Sequence, residues 1–376
     1  MSSSPVPNAT PDDASRDGLG RRDFLARAAG VGLGLAAGAA RLSAADAPPL
    51  EKRNATDGIL YRRLGRTNFA VSALAIGGVV LNKDRMPVFE AAVDRGLNFV
   101  MAHGGGCASA LAPWLKTPAH RERLFLGYAT HPQGIDGGLK ALGTDCIDLV
   151  MSPLHSPKAA ADEGVREAFE KAKKAGKARH LCLVFHQNVP AVWKVGLEAG
   201  WYDVFLPTYN MGSRKELQPL IAGTKAKDIG LLTMKSLKGL PGNLQPVAAW
   251  KRLLEDGVDA ILKGMTSPKQ VDEYLAVARK GDGTAAAAPA DPCPGECTLC
   301  GACTPCPQGV AIQDVIRTWQ YYARQLGWWD TARAHYGRIA PAARPDLCAD
   351  CGRCEILCPH GVAIRAEMQE ARTALA

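Results

Sequence analysis

The spacing of the cysteines constrains this chain more than any other feature of its sequence. Eight of its twelve cysteines lie between Cys297 and Cys358. In each of two runs, gaps of two residues let tight turns aim several thiolates at one point, which is typical of metal chelation. A proline follows the last cysteine of each run, Pro307 in the first and Pro359 in the second. The first run consists of Cys297, Cys300, Cys303 and Cys306, and the second of Cys348, Cys351, Cys354 and Cys358.

Two 4Fe-4S clusters are the cofactors that this spacing favours. The second run has the spacing of bacterial ferredoxins, in which the fourth cysteine ligates the other cluster. Structural zinc takes two CxxC pairs per ion, and disulfides need no succession of CxxC gaps, so both alternatives suit the runs less well. The first run departs from the pattern because two residues, rather than three, separate Cys303 from Cys306, and Cys293 is a substitute candidate. With exchanged fourth ligands, one cluster takes Cys297, Cys300, Cys303 and Cys358, and the other takes Cys348, Cys351, Cys354 and Cys306.

The N-terminal segment has the pattern of an export signal. Arg21 and Arg22 precede a small, apolar run over residues 28–40, and small residues follow up to position 45. These features predict a twin-arginine signal peptide over residues 1–45 and a periplasmic or otherwise exported protein. An uncleaved anchor is the weaker alternative, because a membrane span needs about 20 apolar residues. We expect membrane contact only through this signal, followed by an unordered polar linker over residues 46–58.

The region from residue 59 to residue 280 alternates short apolar runs with helical periods. Eight such units predict a (β/α)8 barrel, whose chemistry lies at the C-terminal ends of its strands. An open, doubly wound sheet would need a glycine-rich phosphate turn, and Gly77-Gly78-Val79-Val80 lacks the required spacing. The net charge of +8 is spread along the chain, which argues against nucleic-acid binding. The predicted strands are 72–76, 98–102, 124–129, 146–151, 179–185, 204–207, 230–235 and 260–263.

A second domain is predicted to follow the barrel. Residues 281–292 are rich in glycine, alanine and proline, which indicates a linker. Residues 293–376 contain both cysteine runs and are expected to form a small, mainly helical, ferredoxin-like iron-sulfur domain. Aromatic residues between the runs are interpreted as packing residues rather than as an electron relay, because aromatics at helical spacing usually pack. They are Trp319, Tyr321, Tyr322, Trp328, Trp329 and Tyr336.

Several segments of the barrel region together resemble the aldo/keto reductases. The segments are LGRT at 64–67, RGLNF at 95–99, LGTDCIDL at 142–149, GKARH at 176–180 and MK at 234–235. With both cysteine runs, the resemblance extends from residue 59 to residue 364 and is closest to the branch with a C-terminal ferredoxin domain. It implies a barrel that reduces carbonyls with NADPH, using an Asp, a Tyr, a Lys and a His at the strand ends.

The chain departs from this family at the catalytic positions. The resemblance places Met101 where the family has its Asp, Gly106 where it has its Tyr, and Ala129 where it has its Lys. His155 is the candidate for the family's His, although it lies two residues late. General-acid catalysis needs the donor and its partners within hydrogen-bond reach, so the family's proton transfer is not expected here.

The positions that the resemblance assigns to NADPH are also altered, which leaves binding of this cofactor open. Val184-Phe185-His186 stands where the family offers Ser and Asn to the nicotinamide, and Gln270 stands near its adenosine-phosphate Arg. A cofactor site depends on a few well-placed polar groups, so these replacements weaken the site. The remaining candidate cofactor residues are Lys235, Ser236, Lys269 and Glu273.

Four histidines follow four consecutive predicted strands. His103, His131, His155 and His186 each lie just beyond a strand, on the face where barrels place their chemistry. Histidines in such loops are commonly solvated or bonded to the backbone, which is one interpretation of the four. The other is a catalytic or additional metal site at the barrel mouth, because imidazole is the commonest transition-metal ligand.

Three functions remain consistent with the sequence. The first is an exported iron-sulfur oxidoreductase that passes electrons between two clusters and a diverged barrel site, with a redox partner protein or a small molecule as its partner. The second is an NADPH-dependent carbonyl reductase that uses substitutes such as Tyr128 or His155. The third is a non-catalytic electron-transfer or partner-binding protein on a barrel scaffold.

Overall fold

A computed structural model describes residues 49–238, 246–280 and 295–376. The predicted signal peptide, the linker over 281–292 and the candidate ligand Cys293 lie outside the described residues. Among the residues that are described, no helix is long and apolar enough to cross a membrane.

A three-stranded sheet lies at the N-terminal end of the barrel. It consists of β1 (Glu51–Lys52), β2 (Tyr61–Arg63) and β3 (Phe69–Ser72), with β3 in the centre. The linker expected over residues 46–58 is therefore wrong for the part from Glu51 onward. This segment is ordered by Asp148, a buried carboxylate that Arg53 contacts at 3.2 Å and Arg179 at 2.8 Å. Glu51 accepts from both arginines, so the network holds the segment against the barrel.

Eight parallel strands form a closed barrel, which confirms the predicted fold. Each strand pairs with its neighbours in the chain, and the last strand pairs with the first. The seventh barrel strand ends at Thr233 rather than at the predicted Lys235, because Lys235 has a φ of 52° and leaves the extended conformation. The strands are β4 (Leu74–Gly77), β5 (Phe99–Ala102), β6 (Phe125–Ala129), β7 (Ile147–Pro153), β8 (Ala178–Phe185), β9 (Val204–Pro207), β10 (Gly230–Thr233) and β11 (Ala260–Lys263).

Two layers of apolar side chains stabilise the barrel. Alternate strand residues such as Phe99, Leu149 and Leu232 fill the interior, while the others pack under the surrounding helices. The outer helices are α1 (Met86–Asp94), α2 (Gly106–Leu115), α3 (Pro118–Arg121), α4 (Ile135–Leu142), α5 (Pro157–Ala160), α6 (Glu163–Lys174), α7 (Val189–Ala199), α8 (Arg214–Ala226), α9 (Pro246–Glu255) and α10 (Pro268–Leu275).

The C-terminal region is a small helical domain with its own apolar core. Helix α11 (Ile312–Ile316) continues directly into a π-helix, Arg317–Gln325. The remaining helices are α12 (Trp329–Gly337), α13 (Arg353–Ile356) and α14 (Ile364–Leu375). Trp319 and Tyr336 are buried in this core, as the packing interpretation predicts, whereas Trp329 is 41% exposed. π-Helical turns often occur at functional sites, and this one faces the barrel mouth.

Candidate functional site

A large, open pocket, here called the mouth pocket, lies at the C-terminal ends of the barrel strands. It contains about 1780 Å³ of empty space, part of which is open to solvent. Its floor comes from the barrel and includes Met101, Met234 and Lys263. Its roof comes from the iron-sulfur domain, which contributes residues of the π-helix and of α12: Arg317, Tyr321, Tyr322, Asp330, Thr331, Ala334, His335 and Arg338, with Trp328 between the two helices. The reaction face of the barrel is therefore covered by the second domain.

Polar contacts hold the roof against the barrel. The Lys238 amine, on the turn after β10, donates to Gln320 Oε1 at 3.2 Å and is fully buried. The same turn accepts a hydrogen bond at Leu237 O from Gln325 Nε2. Gln187 Nε2, just after β8, donates to Asp314 Oδ2 at 2.6 Å. The π-helix is thus fixed to the turn after β10, and α11 is fixed to the barrel just after β8.

The three vacated catalytic positions border the mouth pocket. Met101, Gly106 and Ala129 all line it and offer hydrocarbon or backbone in place of a carboxylate, a phenol and an amine. Tyr128 is not among the lining residues: its ring packs against Gly138, where an added Cβ would lie 2.5 Å from the ring, and its hydroxyl lies 3.5 Å from the position of an added Cβ on Gly104, at the edge of the pocket. The pocket therefore lacks the family's proton-donating constellation among the described residues.

Two of the four strand-end histidines line the mouth pocket, and the other two lie beside it. His103 and His186 line the pocket. The ring of His155 lies against that of His186, with 4.0 Å between centroids, whereas His131 Nδ1 lies 3.1 Å from Ser152 Oγ. Among the described residues, no group of three His, Cys, Asp or Glu side chains is preformed to hold a metal ion, the cluster cysteines included. An additional metal on these four histidines therefore stays a prediction.

The histidines near the pocket are neutral. Burial, with smaller contributions from nearby cations such as Lys235 and Arg317, lowers the pKa of His103 and of His155 to about 4 and that of His186 well below its usual value. Burial lowers the pKa of His335, in the roof, to about 3. These rings can exchange hydrogen bonds with a ligand but hold no positive charge at neutral pH.

A hydrogen-bonded chain links the roof to His186. Arg317 Nη2 donates to Asp314 Oδ1 at 2.5 Å, and Arg317 Nη1 lies 3.4 Å from His186 Nε2. Because a guanidinium can only donate, His186 Nε2 accepts and its Nδ1 carries the hydrogen. That Nδ1 is buried without a partner in the described structure, as is Arg317 Nε. Two donors thus remain unsatisfied beside the pocket.

Cations dominate the charged lining of the mouth pocket. Of the described residues that line it, five carry a basic side chain, and Asp330 is the one carboxylate. The Asp330 side chain is fully exposed and lies 3.7 Å from Arg333. Burial lowers the pKa of Lys263 to about 8 and that of Lys235 well below its usual value. The basic lining residues are Arg85, Lys235, Lys263, Arg317 and Arg338.

The residues expected to contact NADPH do not come together in the structure. The hydroxyl of Ser236 is buried and accepts from Trp250 Nε1 at 2.8 Å. Lys269 and Glu273 are exposed on α10 and lie 3.8 Å from each other. Of the four candidates, all of them described, only Lys235 lines the mouth pocket. Since the π-helix also covers the turn after β10, the residues present do not fit a dinucleotide.

The cysteine runs border two enclosed cavities. The inner cysteine cavity, lined by Cys297, Cys300, Cys303 and Cys358, contains about 350 Å³ of empty space. The outer cysteine cavity, lined by Cys303, Cys306, Cys348, Cys351 and Cys354, contains about 370 Å³. All eight of these cysteines are free thiols. A cubane cluster fills a space between its four sulfurs, so two such cavities fit two clusters better than they fit single ions.

Both runs use the same backbone turn to face their cavities. Leu299 and Asp350 have φ values of 64° and 52°, and each precedes the second cysteine of its run. Gly301 and Gly352, which follow those cysteines, have φ values of 91° and 70°. This left-handed region favours glycine, so the glycine after the second cysteine is a local requirement for the turn.

The sequence alone did not indicate the residues that form the roof of the mouth pocket. Arg317, His335 and Arg338 lie between the cysteine runs and were not among the candidate residues, and Lys263 ends the last barrel strand. One sequence signal could have identified them, namely that basic residues alternate with the aromatic residues of this segment. Their convergence on the barrel mouth depends on how the two domains dock.

Comparisons with known proteins agree with both domains. Residues 296–363 match the family model described as a 4Fe-4S dicluster domain, which confirms the iron-sulfur domain. No curated protein matches the chain. A Pseudomonas aeruginosa structure, described as a candidate aldo-keto reductase, is 24% identical with a TM-score of 0.51 and covers 60% of this chain and 96% of its own. The holo form of an aldo-keto reductase from Bacillus halodurans is 18% identical with a TM-score of 0.50 and covers 58% and 90%. These similarities show that the barrel has the aldo-keto reductase fold, and fold alone does not define the reaction.

Proposed function

We propose that the protein is an iron-sulfur oxidoreductase that exchanges electrons between two 4Fe-4S clusters and a small molecule in the mouth pocket. The observation that carries this proposal is the path of one helical segment. Ile312 and Ile316 line the inner cysteine cavity, and Arg317 and Tyr321, in the turns that follow, line the mouth pocket. The segment formed by α11 and the π-helix therefore borders both the inner cysteine cavity and the mouth pocket.

The arrangement of the two cysteine cavities supports a path for electrons through the iron-sulfur domain. Cys303 and Ile312 line both cysteine cavities, so the two cavities adjoin. Cys348 and Cys351, of the outer cysteine cavity, are exposed, whereas no cysteine of the inner cavity is. Clusters bound at such sites supply single electrons. We propose that the fourth ligands are exchanged, so that Cys358 belongs to the inner cluster and Cys306 to the outer one, which would face a redox partner.

The chain's own residues have distinct roles in this proposal. The roof covers the mouth pocket without closing it, and the neutral His186 has a hydrogen on Nδ1 to donate. Reduction of a carbonyl to an alcohol takes up two electrons, one from each reduced cluster, and two protons, of which Lys263 would supply one and solvent the other. Lys263 lines the pocket with a pKa of about 8, so it can hold and release a proton near neutral pH. Lys263 is therefore the proposed proton donor, in place of the family's tyrosine.

We also propose that residues 1–45 direct export and that the domain is loaded with its clusters before export. Arg21 and Arg22 with the apolar run that follows support this proposal. An Arg21→Lys, Arg22→Lys double variant is expected to leave the protein inside the cell. Unchanged export of this variant would contradict the proposal.

A pocket-filling variant tests the redox function. Gly106 lines the mouth pocket and has no atom within 4 Å of an added Cβ, so Gly106→Phe fills the pocket without changing its charge. Gly137 on α4 has the same free space on the outer surface, which makes Gly137→Phe a matched control. Reduced, anaerobic protein is mixed with a panel of carbonyl and quinone compounds, and cluster reoxidation is followed by stopped-flow absorbance.

The proposal expects at least one compound whose reoxidation rate falls about tenfold or more in Gly106→Phe and is unchanged in Gly137→Phe, because the reaction needs entry to the pocket. If every compound reoxidises the three proteins equally, electrons leave through the outer cluster. The protein would then be an electron carrier on a barrel scaffold. Oxidation of added NADPH by the wild type would instead favour a carbonyl reductase.

A further inference from the structure

We infer that the mouth pocket binds a small, planar organic dianion through cations contributed by both domains. This inference rests on the proposed function, because it names the chemical class of the molecule that exchanges electrons there. The lining supplies Lys235 and Lys263 from the barrel and Arg317 and Arg338 from the roof.

The two lysines are the strongest indication of a bound anion. Both are buried, with 6% of Lys235 and 5% of Lys263 exposed. Neither lies within ion-pair distance of a carboxylate in the described structure. Lys235 Nζ lies 3.5 Å from the thioether of Met234, and Lys263 Nζ lies 5.3 Å from the ring centroid of Trp328. An unpaired buried ammonium is costly, so an anion that completes its environment is expected.

Buried carboxylates elsewhere in the barrel are paired, which shows that the mouth pocket is different. Asp148 contacts Arg53, Arg121 and Arg179 within 3.2 Å. Lys225 contacts Asp259 at 2.7 Å. Lys238, the other buried lysine of the described residues, donates to Gln320 Oε1 instead of to a carboxylate. Lys235 and Lys263 differ from it because they line an open pocket that a ligand can enter.

The backbone at Lys235 supports a functional role for its side chain. Lys235 adopts a φ of 52°, in the left-handed region that residues with a Cβ rarely adopt. Strained residues of this kind cluster at ligand sites, where the surrounding structure holds them in place. The strain here places a lysine, rather than a glycine, in the wall of the pocket.

The unsatisfied donors of the roof extend the same site. Arg317 Nε and His186 Nδ1 are buried beside the pocket without partners in the part of the chain that the structure describes. Asp314 already partners the other face of the Arg317 guanidinium. A ligand oxygen between the roof and His186 would satisfy donors from both domains.

The covered turn after β10 does not fit a dinucleotide, and the aromatic lining favours a flat ligand. The contacts of Gln320 and Gln325 cover the turn after β10. Trp328 covers the end of the last strand, since an added Cβ on Gly264 would lie 3.1 Å from its ring. Tyr321, Tyr322 and Trp328 present aromatic rings to the remaining space. Lys235 and Lys263, which have no carboxylate partner among the described residues, favour a ligand with up to two negative charges, and the aromatic rings favour a planar body.

Calorimetry on the oxidised holoprotein tests this inference without electron transfer. The probes are fumarate, a planar dicarboxylate; inorganic phosphate, which distinguishes a phosphate group from carboxylates as the recognised anion; and fumaramide, the neutral analogue of fumarate. The variants are Lys263→Met and Arg338→Gln, the latter at an exposed position where folding is not at stake. Lys194→Met, at an exposed site on α7, is the matched control.

The inference expects fumarate to bind the wild type and the Lys194→Met control equally, with affinity about tenfold or more weaker in Lys263→Met and reduced in Arg338→Gln. Phosphate, which is not planar, is expected to bind more weakly than fumarate, and fumaramide is expected not to bind. Absence of fumarate binding, equal affinity in Lys263→Met and Arg338→Gln as in the wild type, phosphate affinity equal to or above that of fumarate, or equal affinity for fumaramide would each overturn it. Because the oxidised protein is used, anion binding with no pocket-dependent reoxidation would refute the redox function alone.

Discussion

The exchange of the fourth ligands makes opposite predictions for two single substitutions. Cys358 is in the second run but lines the inner cysteine cavity, and Cys306 is in the first run but lines the outer one. Cys358→Ser is therefore expected to remove the inner cluster, and Cys306→Ser the outer cluster. If each run instead held its own cluster, the two outcomes would be interchanged. Cys146→Ser, in the barrel and far from both runs in sequence, is the control.

The expected iron content and rates of iron loss follow from the two cysteine cavities. Two 4Fe-4S clusters correspond to about eight iron and eight sulfide per chain, and each variant should retain about four of each. The identity of the surviving cluster is read from its accessibility. Cys348 and Cys351 of the outer cysteine cavity are exposed, so the cluster that survives in Cys358→Ser should lose iron rapidly to a chelator. The buried cluster that survives in Cys306→Ser should lose iron about tenfold or more slowly.

The assay is anaerobic purification, followed by iron and sulfide analysis and by the rate of iron release to bathophenanthroline disulfonate. The control should retain about eight iron atoms with two phases of release. Rapid release from Cys306→Ser and slow release from Cys358→Ser would refute the exchange. One zinc per run without sulfide would refute the clusters themselves.

Three further predictions follow from other parts of the structure. Asp148→Asn leaves three arginines without their buried counter-ion and should destabilise the protein by about 3 kcal/mol, measured by urea unfolding and tryptophan fluorescence. Burial acts to raise the pKa of Asp148, but Arg121 and Arg53 hold this pKa below its usual value. The stabilisation by Asp148 should therefore be present above about pH 4 and should be lost as the pH falls through the lower pKa of the folded state. A difference in unfolding free energy between wild type and variant that does not change with pH would contradict this. Because burial lowers the pKa of Lys263 to about 8, the affinity for fumarate should be constant below that pH and decline above it. A fumarate affinity that calorimetry finds unchanged up to pH 9.5 would contradict this role of Lys263. Lys238→Met removes a buried cation that shares Gln320 Oε1 with the Cys297 amide. Voltammetry should therefore show a lower reduction potential for the inner cluster. An unchanged potential would show that the charge of Lys238 does not affect this cluster.

The second domain covers the pocket at the positions where the resemblance to the aldo/keto reductases places the family's catalytic side chains. Met101, Gly106 and Ala129 line the space that the π-helix and α12 cover. The π-helix lies over the turn after β10 and binds there through Gln320 and Gln325. A pocket that is shared by two domains is also a common place for ligands, because each domain contributes polar groups from a different direction.

The sequence by itself determined the fold class, the order of the eight strands and the presence of an iron-sulfur domain. These features are local, because strands show in the periodicity of apolar residues and a CxxC gap places two thiolates together wherever the turn lies. Strand ends were predicted to within two residues, and one of the two-residue shifts lies where Lys235 takes a left-handed conformation. The segment from Glu51 to Arg53 was mistaken for linker, because its order depends on Asp148, a residue distant in sequence.

Only the tertiary structure decided what the barrel mouth contains. Strand-end histidines at similar sequence positions diverge, since His103 and His186 line the mouth pocket while His131 lies beside Ser152. Arg317 and Arg338 reach the pocket from the second domain, more than fifty residues after the last barrel strand ends at Lys263. Whether a cation has a carboxylate partner depends on which side chains from distant segments lie next to it in the folded protein. Sequence spacing does not show this.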